Sequence, residues 1–119
     1  LTGVIEKDTG KEPFNLDPAL RTLYNKKDYE RWICQALGDV PVAFTHKCDI
    51  TGGNSGSPVM NAKGELVGIA FDGNYEALTC DWQYDDDLQR TISVDIRYVL
   101  FITEKFAGAQ YLLDEMGIK

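Results

Sequence analysis

The sequence has few histidines and cysteines, has no long apolar run and carries fewer cations than anions. Twelve Lys and Arg stand against 19 Asp and Glu, a formal net charge of -7. That balance argues against nucleic acid or an anionic membrane surface as partner, because both need clustered cations. No apolar run reaches the roughly 20 residues that span a bilayer, so no membrane insertion is expected. The three cysteines, Cys34, Cys48 and Cys80, form no CxxC pair, so no metal and no cofactor are expected. A Cys48–Cys80 bridge is one reading of them and free buried thiols are the other. The first residue is Leu1, not Met, which leads to the expectation of a piece cut from a longer polypeptide. Its own length suits one modest core, and 44% hydrophobic with 26% charged residues suits a globular chain. No repeat, low-complexity tract or linker interrupts it.

The local pattern predicts a short strand over residues 1–6 and a helix opened by Asp17 and Pro18. A second amphipathic segment is expected over 29–37, closed by Gly38, and a buried strand over 40–45. The runs 58–60 and 65–71 flank Asn61-Ala62-Lys63-Gly64, a hairpin signature. An acidic loop follows over 72–89, in which Trp82 and Tyr84 are expected to pack and Asp85-Asp86-Asp87 to face water. A strand over 91–94 then leads to Asp95, expected to cap a helix that ends at Gly108, with a last helical turn through Leu112 and Leu113.

The chemistry concentrates in Gly53-Asn54-Ser55-Gly56-Ser57-Pro58. A serine hydroxyl attacks well only when a base takes its proton and backbone amides receive the developing oxyanion. A glycine at 53 lets the amides of Gly53 and Ser55 converge, and Gly56 leaves the far side clear. The loop is not a nucleophile elbow of the α/β-hydrolase kind, since Gly53-x-Ser55-x-Ser57 lacks the last glycine and leads into a strand. With the hairpin behind it, the loop resembles the nucleophile region of trypsin-like peptidases, Ser57 being a departure from their usual glycine.

The longer run Asp49-Ile50-Thr51-Gly52-Gly53-Asn54-Ser55-Gly56-Ser57-Pro58 resembles the bacterial dipeptidyl-peptidase 7/11 family of serine exopeptidases. So do Phe71-Asp72-Gly73-Asn74, Gln89-Arg90-Thr91-Ile92-Ser93-Val94-Asp95-Ile96-Arg97-Tyr98, Lys105-Phe106-Ala107-Gly108-Ala109 and Leu113-Asp114-Glu115-Met116. The resemblance covers the whole chain and is strongest from Asp49 onward. It implies a mainly β chain with C-terminal helices, residues 1–119 forming the second lobe of a trypsin-like double β-barrel. The first lobe, carrying the catalytic His and Asp, and a helical domain would lie outside this chain. It also implies a periplasmic or secreted bacterial enzyme acting on peptide substrates from their free N-terminus, and it allows a homodimer of the full-length protein.

On that resemblance Ser55 is the nucleophile and Gly53 supplies an oxyanion-hole amide. Asp72 matches the family residue that holds the substrate's N-terminal ammonium, a natural task for a carboxylate. Gly73 matches a position in the specificity pocket where members that cut after Asp or Glu carry arginine and members preferring apolar residues carry glycine. An apolar second residue is therefore expected, nearer the dipeptidyl-peptidase 7 type. Asp49, six residues before Ser55, stands where trypsin keeps the acid that selects Lys and Arg, but the family shares it across preferences. The single histidine, His46, is expected to be a strand-end residue rather than the base. The isolated chain is then expected to be catalytically silent. Two other readings remain open, an endopeptidase of the HtrA or glutamyl-endopeptidase kind and a non-catalytic binding lobe.

Overall fold

The computed structural model describes residues 1–118, which divide into two compact units. One comprises Leu1–Pro41 and the segment from Arg97 onward; the other is Val42–Ile96.

The first unit is helical. It contains α1 (Thr2–Glu6), α2 (Pro18–Lys26), α3 (Ile96–Phe101, whose first residue belongs to the other unit) and α4 (Gln110–Glu115). A π-helical stretch, Ile102–Phe106, continues α3. Asp17 caps α2 as expected, its carboxylate accepting from Ala19 N at 2.7 Å, with Pro18 in the first turn. Leu20, Tyr29, Trp32, Val40, Phe101 and Leu113 are buried together, and Tyr29 meets Phe101 edge-on at 6.3 Å between ring centroids. Polar side chains fasten the rim. Lys105 Nζ lies 2.8 Å from Asp28 and 2.7 Å from Glu30, while Glu104 accepts from both Arg31 and the Trp32 indole.

Three local expectations are corrected in this unit. Residues 2–6 are helical, not extended, because Val4 packs against the core and tertiary burial overrides the weak preference of β-branched residues for strands. The segment 29–37 is not a helix; only Glu30–Trp32 makes a 3₁₀ turn. Ile33 is extended, and Cys34 pairs with Asp39 across a tight turn in which Gly38 adopts φ +63°. The expected strand over 40–45 starts later. Val40 is fully buried in the helical core, and β1 (Ala43–His46) alternates exposed and half-buried residues.

The second unit carries an antiparallel four-stranded sheet in the order β1-β4-β3-β2, with β2 at Pro58–Met60, β3 at Leu66–Gly73 and β4 at Thr91–Asp95. The β2–β3 hairpin is the expected one. Gly64 takes φ +77° in its turn, and Asn61 Oδ1 accepts from the amides of Lys63 and Glu65. Asp95 ends β4 immediately before α3, where the cap was expected. The expectation of a mainly β chain is amended, because the sheet is confined to this unit and the rest is helical. Among the described residues the sheet is open, with β1 and β2 as its edges.

The acidic segment after β3 is more ordered than a solvated loop. It folds into a 3₁₀ turn, Tyr75–Thr79, and is pinned by polar groups in place of an apolar core. Arg90 donates to the carbonyls of Asp86, Asp87 and Gln89, and Gln89 Nε2 donates to Thr79 Oγ1 and the Gln83 carbonyl. Trp82 does not pack as expected; it is 92% exposed. Asp86 and Asp87 face solvent as expected and share Lys47, at 3.0 and 3.7 Å.

Gly68 is where backbone and ring approach most closely. A Cβ there would stand 2.7 Å from both the Phe44 ring and the Val94 carbonyl oxygen. Gly68→Ala should therefore overpack the sheet and lose about 1–3 kcal/mol of unfolding free energy in a denaturant titration.

Candidate active site

The loop between β1 and β2 is built by two successive turns around Asn54. Asn54 Oδ1 accepts from Thr51 N at 2.8 Å, Asn54 N donates to the Thr51 carbonyl at 3.1 Å, and Ser57 N to the Asn54 carbonyl at 2.9 Å. Gly56 N then donates to the Ala70 carbonyl at 2.8 Å, and Ala70 N returns a bond to the Ser57 carbonyl at 2.9 Å. Gly53 at φ +99° and Gly56 at φ +89° make this path possible, since a side chain at either would be strained. The amides of Gly52, Gly53 and Ser55, inside these turns, donate to no acceptor among the described residues. Ser55 is exposed and Ser57 half-buried at the entry to β2.

A second device shapes the strand opposite. β3 pairs with β4 through Ala70↔Ser93 and then Asp72↔Ile92, so Phe71 is an inserted bulge residue. A bulge breaks the two-residue alternation of side chains and re-aims those that follow. Phe71, Asp72, Gly73 and Asn74 accordingly all line one open cleft of about 290 Å³, together with Ser55 and Thr51. Ser55, Asp72 and Gly73, the residues singled out from the sequence, thus line the same cleft. Asp72 is exposed and one of its carboxylate oxygens accepts from Gly73 N at 2.8 Å. Neither Gly53 nor Ser57 is among the lining residues.

The far wall was not foreseen. Ala77, Leu78, Cys80 and Asp81 come from the 3₁₀ turn and the residues after it. Thr51 Oγ1 donates to Asp81 Oδ1 at 2.9 Å and Cys80 Sγ to the Ile50 carbonyl at 3.2 Å, so the serine loop and the acidic segment are tied directly. Burial, and then the Asp81 and Asp49 carboxylates, push the Cys80 thiol above its ordinary pKa, which keeps it a donor. All three cysteines are free; Cys48 is exposed and the other two half-buried, so the expectation of buried thiols is corrected. Asn74 closes the base of the segment. Its amide and side-chain carbonyl pair with Arg90, each at 2.9 Å, and its Nδ2 donates to the Leu88 carbonyl at 2.9 Å. The sequence signal for this clamp was only the Asp72-Gly73-Asn74 run; the residues it grips lie 14 and 16 positions on. A larger cleft of about 610 Å³, lined by Tyr75, Leu78, Trp82 and Leu88, holds none of the expected site residues.

His46 ends β1, as expected, and its Nε2 lies 2.8 Å from Ser93 Oγ on β4. It does not line the cleft with Ser55. Among the described residues no cluster of His, Cys, Asp and Glu has a geometry for a metal ion, and no helix of the described chain is long and apolar enough to cross a membrane.

A model of the Peptidase S46 family matches residues 1–118, and the chain belongs to that family. It is similar at 53% identity over 119 residues to the dipeptidyl-peptidase 7 of Phocaeicola vulgatus, covering 99% of this chain and 16% of that protein. It is similar at 52% identity to the Asp/Glu-specific dipeptidyl-peptidase of Porphyromonas gingivalis, with the same coverage of each. The crystal structure of Porphyromonas endodontalis DPP11 in complex with the dipeptide Arg-Asp superposes with a TM-score of 0.93 at 48% identity, covering 100% of this chain and 17% of that one. The chain therefore spans about a sixth of the length of these relatives.

The histidine offers a check on the site's electrostatics. Burial holds His46 below its ordinary pKa, because the imidazolium loses hydration on folding. The folded state then binds fewer protons than the unfolded one below about pH 6.5. His46 thus contributes stability that is complete above that pH and is lost as pH falls through its depressed pKa. The unfolding free energy of the wild type should drop more than that of His46→Gln between pH 7 and 5, by chemical denaturation at each pH.

Proposed function

We propose that this chain is the nucleophile-bearing second lobe of a bacterial serine dipeptidyl-peptidase, secreted or periplasmic, that removes dipeptides with an apolar second residue. The observation that carries this reading is the single cleft shared by Ser55, Asp72 and Gly73. Ser55 Oγ attacks the carbonyl carbon of the second residue while a histidine from the first lobe, outside this chain, takes its proton. The oxyanion is received by the Gly53 and Ser55 amides, as the family resemblance implies, and the left-handed Gly53 in the turn before Ser55 supports that reading. The same histidine gives its proton to the leaving amine, and water then frees the dipeptide from Ser55.

Asp72 pairs the substrate's free ammonium, which restricts the enzyme to unblocked N-termini and to dipeptide steps. The pocket is proposed to be uncharged because position 73 is glycine. Overall identity does not discriminate between preferences, since relatives named for dipeptidyl-peptidase 7 and for Asp/Glu specificity lie at 53% and 52%. The catalytic His and Asp are assigned to the missing lobe because His46 is engaged with Ser93. The chain by itself is accordingly proposed to be silent.

The test is peptide hydrolysis by the full-length enzyme. It should cleave a Leu or Phe second residue faster than Asp or Glu and refuse the N-acetylated peptide; cleavage of the blocked peptide would point to an endopeptidase instead.

Two sets of variants separate the roles. Ser55→Ala should cost about three orders of magnitude or more in turnover, since members of a catalytic unit fail together. Ser57→Ala should keep most activity, because Ser57 contributes its backbone to the hairpin; the reverse pattern would reject Ser55. Asp72→Ala should lower kcat/KM about ten- to a hundredfold, the worth of a hydrogen bond between charged groups. Unchanged kinetics for Asp72→Ala would remove it from substrate binding.

A further inference from the structure

Gly73 sits at the end of β3 opposite Thr91, with a backbone outside the left-handed region, so an L-residue is conformationally allowed there. One atom stands in the way. A Cβ on Gly73 would lie 2.8 Å from the Cβ of Ala77, while the next neighbour, the Arg90 carbonyl oxygen, is at an ordinary 3.7 Å. Real Cβ atoms do not approach so closely, and packed interiors absorb little of such an overlap.

Ala77 has little freedom to retreat. Its amide donates to the Asn74 carbonyl at 3.0 Å, and Asn74 is itself bonded to Arg90 and Leu88. Beyond Ala77 the turn is held through Thr79 to Gln89 at 3.0 Å, Cys80 to Ile50 at 3.2 Å and Asp81 to Thr51 at 2.9 Å. Both ends of the turn are tied down, and both residues line the cleft that contains Ser55.

We propose that Ala77 and Gly73 form one specificity determinant: the two positions share a single volume in the cleft wall. Position 73 then accepts a larger or charged side chain only where position 77 gives up its methyl group. Peptides with an apolar second residue are matched by the pair Gly73 and Ala77, and peptides with an acidic second residue would need both positions changed. This rests on reading the cleft as the substrate site of a dipeptidyl-peptidase. Ala77 acts here as a positioning residue, through the room that it leaves at 73.

The test is a double-mutant cycle in the full-length peptidase, with dipeptidyl substrates carrying Leu or Asp as second residue. Gly73→Ala alone should lower the melting temperature by about 2 °C or more and kcat/KM on the Leu substrate about tenfold. In the Ala77→Gly background the same substitution should cost less than about threefold and leave the melting temperature unmoved. Gly73→Arg alone should fall on both substrates. Gly73→Arg with Ala77→Gly should cleave the Asp substrate about tenfold faster or more than Gly73→Arg alone. Equal losses from Gly73→Ala in both backgrounds, in melting temperature and in kcat/KM, would overturn the shared volume. Relief of those losses with no gain on the Asp substrate would uphold the shared volume and overturn the assignment of the pocket's preference to position 73.

Discussion

Two backbone hydrogen bonds, from Gly56 N to the Ala70 carbonyl and from Ala70 N to the Ser57 carbonyl, fasten the serine loop to the third strand. The rest of the site is measured from that pair. They extend the β2–β3 ladder past the end of β2, so Ser55 is carried on a rigid edge rather than on a free loop. One residue further along the same strand lies the bulge at Phe71, and Asp72 and Gly73 after it line the same cleft as Ser55.

The opposite wall is held by a different kind of force. The segment after β3 buries few apolar side chains and leaves Tyr75, Leu78 and Trp82 largely exposed. Its shape comes from Asn74, Gln89 and Arg90, each satisfying main-chain groups of its own loop, and from two side-chain links to the serine loop. Such a construction is directional. Hydrogen bonds place Ala77 beside Gly73 more definitely than loose apolar contacts would.

The helical unit shows where local reading gives way to packing. Residues 2–6 contain β-branched side chains that favour a strand in isolation, yet Val4 is needed against the core and the helix wins. Tyr29, Trp32 and Ile33 recur at helical spacing, but the Trp32 indole is drawn to Glu104, 72 residues on, and Ile33 packs against the core in extended conformation. In each case the energy that decides lies more than thirty residues away in sequence, or in a core that no short window contains.

Legible in the sequence were the features whose causes are local. The cap at Asp17, the turn at Gly64, the left-handed glycines around Ser55 and the family-like runs through Asp72 and Gly73 each depend on residues within a few positions of one another. Tertiary structure alone decided the bulge at Phe71, the Asn74 clamp and the link from Thr51 to Asp81. Those depend on which strand lies beside which and in what register, and a sequence does not state its register. Gly73 therefore reads in one dimension as an absent charge and in three as a shared space. A glycine's missing side chain acquires that second meaning only when the fold supplies the neighbour that it would have struck.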